Sequence, residues 1–117
     1  MKTSDLIGPA LDWAVIKIIF PGATDSAFWL NFARANKYST DWAQGGPIIE
    51  RELIDIATKF INATVEHPNG RWAWQATSIN EDDKAFWYDG PTPLVAAMRC
   101  YVASKLGDEI ELPEELK

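Results

Sequence analysis

Few side chains in this 117-residue chain carry nucleophilic or metal-binding chemistry. It holds one histidine and one cysteine, His67 and Cys100. A Cys–His pair would supply nucleophile and base, but nothing near either residue orients or activates it. Each has an ordinary structural alternative, Cys100 as a small packed residue and His67 as a polar turn residue. Zinc would need more nitrogen and sulfur ligands than the chain supplies, and a lone cysteine excludes a disulfide framework. Glu50 and Glu52 could exchange protons as paired carboxylates, or simply lie on a solvated face near a helix end. This inventory points to binding rather than catalysis, with no cofactor.

The aromatic inventory is richer, with six tryptophans. Trp13 and Trp29 sit on helical stripes, and Trp72 and Trp74 share one face of a strand, positions that suit a core. Trp42 and Trp87 lie in or beside polar loops, where an indole can stack on a flat ligand or anchor a partner.

The segment Tyr38-Ser39-Thr40-Asp41-Trp42-Ala43-Gln44-Gly45-Gly46-Pro47-Ile48-Ile49-Glu50 concentrates the binding signals. Gly45-Gly46 allows close backbone approach, and Pro47 can open a short helix whose free amides would receive an anion. Ser39, Thr40, Asp41, Gln44 and Glu50 add polar groups beside the Trp42 face, as in a small-molecule pocket. A plain structural turn is the alternative. Asp89-Gly90-Pro91-Thr92-Pro93 forms a second glycine-marked helix start near Trp87. Thr92 there and Arg99 further along the helix complete the candidate ligand set, with Arg51 as a further source of charge.

These residues must be positioned by elements legible in the apolar spacing. Leu6, Ala10, Trp13, Ala14, Lys17 and Ile18 form a helical stripe, with Pro9 in the first turn and Pro21-Gly22 as a stop. Thr24, Asp25 or Ser26 can cap a second helix carrying Phe28, Trp29, Phe32 and Ala33. Residues 36–47 read as a long loop. Residues 50–65 fit either helix or strand, and the turn His67-Pro68-Asn69-Gly70 before the strand at residues 71–79 favours a hairpin, with a strand over about residues 54–65. Residues 80–84 read as an acidic loop. Thr92 caps the clearest helix, Pro93 sets its first turn and Gly107 closes it. The expectation is an α+β domain over residues 1–107, a small antiparallel sheet or hairpin packed with N-terminal and C-terminal helices.

The net charge is −6, of which Asp108, Glu109, Glu111, Glu114 and Glu115 against Lys117 carry −4, leaving −2 for residues 1–106. Residues 108–117 therefore read as an acidic, solvated tail on a nearly neutral body. That balance argues against gripping a nucleic-acid duplex, which needs many Lys and Arg to displace counterions. No apolar run approaches the roughly 20 residues that cross a bilayer, and the start lacks a signal-peptide pattern.

The segment from Tyr38 to Glu52, the run Leu11-Asp12-Trp13-Ala14-Val15, the strand residues Trp74-Gln75-Ala76, and the stretches Gly90-Pro91-Thr92-Pro93-Leu94 and Ala103-Ser104-Lys105-Leu106-Gly107-Asp108 together resemble the NinX-like family of small phage and prophage proteins. Residues 16–36 depart from that pattern. The resemblance implies a viral or prophage origin and action in the bacterial cytoplasm, and it implies no particular activity. Two binding classes then compete. In one, the chain is an anti-defence sponge that sequesters a nucleotide-type host immune signal, as an oligomer with sites between subunits. In the other, it inhibits a host defence protein through exposed aromatics and an acidic surface. The polar density around Gly45-Gly46 favours the first.

Overall fold

The computed structural model describes residues 1–21 and 35–117. The second helix expected from Phe28, Trp29, Phe32 and Ala33 lies outside them. Three helices and three strands follow in order: α1 (Gly8–Ile19), α2 (Trp42–Glu52), β1 (Asp55–Ile61), β2 (Arg71–Ile79), β3 (Ala85–Gly90) and α3 (Pro93–Leu106). The result is the α+β fold expected, with helices before and after one antiparallel sheet of order β1-β2-β3.

The sheet has two different faces. In the register Ile56↔Ala76↔Tyr88, cross-strand partners share one side, and these residues pack against the helices. The alternate positions, among them Ala57, Lys59, Arg71, Gln75, Trp87 and Asp89, face away from them. α3 lies on the inner face, and α1 packs on α3 rather than on the sheet. Enclosed from both directions, α3 buries all of Leu94–Met98 and Cys100–Ala103, so it is apolar nearly all round. Thr92 caps it by accepting from the Val95 amide at 3.1 Å, and Gly107 ends it at φ 93°.

The stretch that fits both helix and strand divides between them. α2 ends at Leu53, which takes the left-handed conformation at φ 53°, ψ 50°, and the Ile54 amide closes the turn on the Ile49 carbonyl at 3.1 Å. Strand geometry then runs over Asp55–Ile61, shorter than the expected residues 54–65. Gly70 takes φ 76° in the following connection, where a Cβ would meet the Phe60 ring and the Ile61 carbonyl. β3 was not anticipated as a strand; its β-prone run Ala85-Phe86-Trp87-Tyr88 was the available signal.

The acidic C-terminal segment is no free tail. Ile110 and Leu112 are buried in the core, and the segment pairs with the N-terminal residues through Thr3 N–H to Asp108 O at 2.9 Å and Ile110 N–H to Met1 O at 2.8 Å. Charge counting misread it because the two apolar residues alternate with solvent-facing Asp108, Glu109 and Glu111.

Leu53 is 84% exposed, so its side chain contributes little packing while its backbone carries the left-handed penalty of about 1–2 kcal/mol. Leu53→Gly is expected to stabilise the fold by up to about 1 kcal/mol, after the extra unfolded-state entropy of glycine is offset. A melting curve raised by a few degrees checks this; a lowered one contradicts it.

Candidate functional site

The glycine-rich segment folds as a helix, not as a ligand loop. Asp41 caps α2 by accepting from the Ala43 amide at 2.9 Å. Gln44, three residues on, donates to the Asp41 carboxylate at 3.1 Å and accepts from the Lys37 amide at 3.1 Å, a variant of the reciprocal capping box. Asp41 thus starts the helix six residues before Pro47, and Pro47 lies inside it. The expected free amides at residues 47–49 are therefore not a helix start. Gly46 eases the presence of Pro47, because a residue without Cβ removes the clash with the proline ring that disfavours helix before proline.

Each remaining candidate in the segment has a structural position. Ser39 is buried, and both its amide and its hydroxyl donate to one oxygen of Asp12, at 2.8 and 2.7 Å. A Cβ on Gly45 would collide with the Tyr38 carbonyl and come within 2.5 Å of Leu94, so this glycine lets α2 approach the loop and α3. Gly46 is open by comparison, its nearest neighbour being the Trp42 ring at 3.9 Å. Thr40, Pro47 and Glu50 are exposed, and Trp42 is 54% exposed at the first turn of α2. None of these residues lines the cavity that opens over the outer face of the sheet.

That cavity, of about 790 Å³, lies over the outer face of the sheet and around the β3 edge. It brings together two of the sequence-selected residues, Trp87 and Arg99, while Thr92 remains a helix cap. Trp87 is 61% exposed on β3, and Asp89 follows two residues later on the same face. Lys59 reaches across β2 to Asp89 at 3.4 Å, and Gln75 donates to the same carboxylate at 3.3 Å. Arg99 donates from Nε to the Leu6 carbonyl and from Nη1 to the Asp89 carbonyl, both at 2.8 Å, which joins the N-terminal segment to the end of β3. Burial lowers its pKa and the charges of Asp5 and Asp89 raise it. Lys2 and Arg71 add positive charge to the lining, and Asp108 and Glu109 add negative. Sequence reasoning missed Lys59, Arg71 and Gln75, which strand register gathers, and Lys2, which the bridge to Glu109 brings in.

Gly90 also lines this cavity, and a Cβ there would sit 2.6 Å from the Ala96 amide nitrogen. Its role is the close seating of α3 on β3. Cys100 is buried and its thiol is pushed up to about 12, so it stays protonated and unreactive at neutral pH. Among the described residues no group of three or more His, Cys, Asp and Glu is placed to hold a metal, and no helix is long and apolar enough to cross a membrane.

A capped, close-packed helical layer under a three-stranded sheet with a polar outer cavity defines a small α+β protein. The family model described as Bacteriophage P22, NinX matches residues 2–105. The chain belongs to that phage protein family. No curated protein matches it.

Gly45→Ala is expected to destabilise the protein by about 1–3 kcal/mol, and Gly46→Ala by less than about 1 kcal/mol, because its Cβ meets no tertiary neighbour and gained helix propensity offsets part of the clash with Pro47. Chemical denaturation of the two variants separates them; equal losses would mean that both glycines serve the same close contact.

The buried Asp12 gives a second test. Burial raises its pKa, while the two Ser39 hydrogen bonds and the charge of Lys37 oppose that shift. Because the folded state then holds the Asp12 proton to higher pH than the unfolded chain, this group's contribution to stability falls as pH rises from the ordinary carboxylate range through the raised value. Asp12→Asn cannot titrate. Stability of the natural chain relative to this variant should therefore decline with rising pH in urea titrations, and a pH-independent difference would contradict the assignment.

Proposed function

We propose that this phage protein binds a small anionic ligand of nucleotide type in the cavity on the outer sheet face, and does not convert it. The observation that carries this reading is the exposed Trp87 standing in one cavity with Lys2, Lys59, Arg71 and Arg99. An exposed indole offers a stacking face for a base, and cations at the same wall suit phosphate. Asp89, Ser4 and Gln75 provide acceptors and donors for sugar hydroxyls or base edges. The volume lies within the range of about 300–1,000 Å³ usual for such sites. The ligand reading is thus kept from the sequence, while its location moves from the Gly45-Gly46 segment to the sheet. In a phage protein, holding a nucleotide without turning it over would withdraw a host signal from its receptor.

The second reading, capture of a host protein, is favoured by a different surface. Phe60 and Trp72 form an edge-on aromatic pair with ring centres 5.3 Å apart, 47% and 69% exposed, on the face opposite Trp87.

A thermal-shift screen against linear and cyclic nucleotides, including cyclic ADP-ribose isomers, tests the first reading. A nucleotide at about 100 times its Kd should stabilise the fold by about 2.7 kcal/mol. Trp87→Ala should abolish that shift and Arg71→Ala should reduce it, whereas Trp42→Ala should leave it intact. A blank across the panel, or a shift lost with Trp42 and kept without Trp87, would contradict the proposal.

A further inference from the structure

Among the described residues β1 is an edge strand, and its ladder with β2 runs without a bulge. It contains no proline, and Asp55, Ala57, Thr58, Lys59 and Phe60 are all exposed. Such an edge offers a row of backbone donors and acceptors to another strand. What distinguishes β1 is that its sequence complements itself. Antiparallel pairing of two copies about a two-fold axis keeps the inner faces on one side only for registers that oppose residues of the same parity.

Among those, centring on Asp55 or on Lys59 would set like charges face to face. Centring on Ile56 or Thr58 would leave both charges opposite apolar residues. Centring on Ala57 alone opposes Asp55 to the partner's Lys59 twice, once on each side of the axis. It also sets the partner's Phe60, 47% exposed in the single chain, beside Ile54, which is already buried in the core, and ends with the 84% exposed Leu53 beside the partner's Ile61. The charge pattern is what selects this register.

We infer that β1 pairs with β1 of a second copy of this chain, centred on Ala57, to make a continuous six-stranded antiparallel sheet. Lys59, which reaches back to Asp89 in the single chain, turns outward to the partner's Asp55 on pairing. The inference rests on the β1 edge and not on Trp87, and Lys59 is the residue it shares with the ligand cavity proposed above.

Sedimentation and light scattering over a concentration series test it. The natural chain should reach twice the monomer mass. Asp55→Lys and Lys59→Asp should each weaken association by about tenfold, because each sets like charges opposite one another twice. The doubly reversed chain, carrying both substitutions, should recover it. Independently, Ala57→Cys should oxidise rapidly to a covalent dimer, since opposed residues of an antiparallel pair lie within disulfide reach, while Ala85→Cys on β3 should not. Cys100 is buried and leaves a clean background. A natural chain that stays monomeric at the highest concentration, or folded single variants that associate unchanged, or failure of Ala57→Cys to cross-link faster than Ala85→Cys, would overturn the inference.

Discussion

The structure depends on the enclosure of α3 from both sides. A helix with only one buried flank keeps a polar stripe; α3 lies between the sheet and α1 and has almost none. Close seating is what that enclosure demands, and two glycines provide it. Gly90 admits the Ala96 backbone of α3 to β3, and Gly45 admits Leu94 of α3 to α2. Its one charged residue within the buried stretch, Arg99, reaches both the Leu6 and the Asp89 carbonyls, so the helix also fastens the N-terminal segment to the sheet end.

This arrangement explains why the most conspicuous sequence motif is structural. The polar groups between Lys37 and Gln44 look available for a ligand when read as a loop, but capping consumes them. Asp41 and Gln44 satisfy the first turn of α2 and the Lys37 amide, and Ser39 satisfies the buried Asp12. A helix N-terminus and an anion site use the same donors and acceptors, and local sequence does not say which will claim them.

The elements with strong local signals were legible. Pro9 in α1, Thr92-Pro93 and Gly107 around α3, and the turn at His67-Pro68-Asn69-Gly70 each fix backbone geometry by themselves. The extent of β1 was not, since Leu53 ends α2 in a conformation that its side chain does not announce. Nor was the pairing of residues 108–112 with the N-terminal segment, which is a contact across the whole chain length. The cavity was legible in Trp87, Arg99 and the stretch Asp89-Gly90-Pro91. Its other cations and Asp89 come together through antiparallel register, which places Lys59 and Asp89 within reach although they are far apart in sequence.

On the proposed reading the outer sheet face binds the ligand, and the Gly45-Gly46 helix belongs to the frame. Amide chemical shifts of isotopically labelled protein, followed as a stabilising nucleotide is added, test that division most directly. The largest changes are expected at Lys59, Arg71–Gln75, Trp87–Gly90 and the N-terminal Lys2–Ser4, with residues 39–50 little affected. Changes confined to residues 39–50, with the sheet face silent, would contradict it.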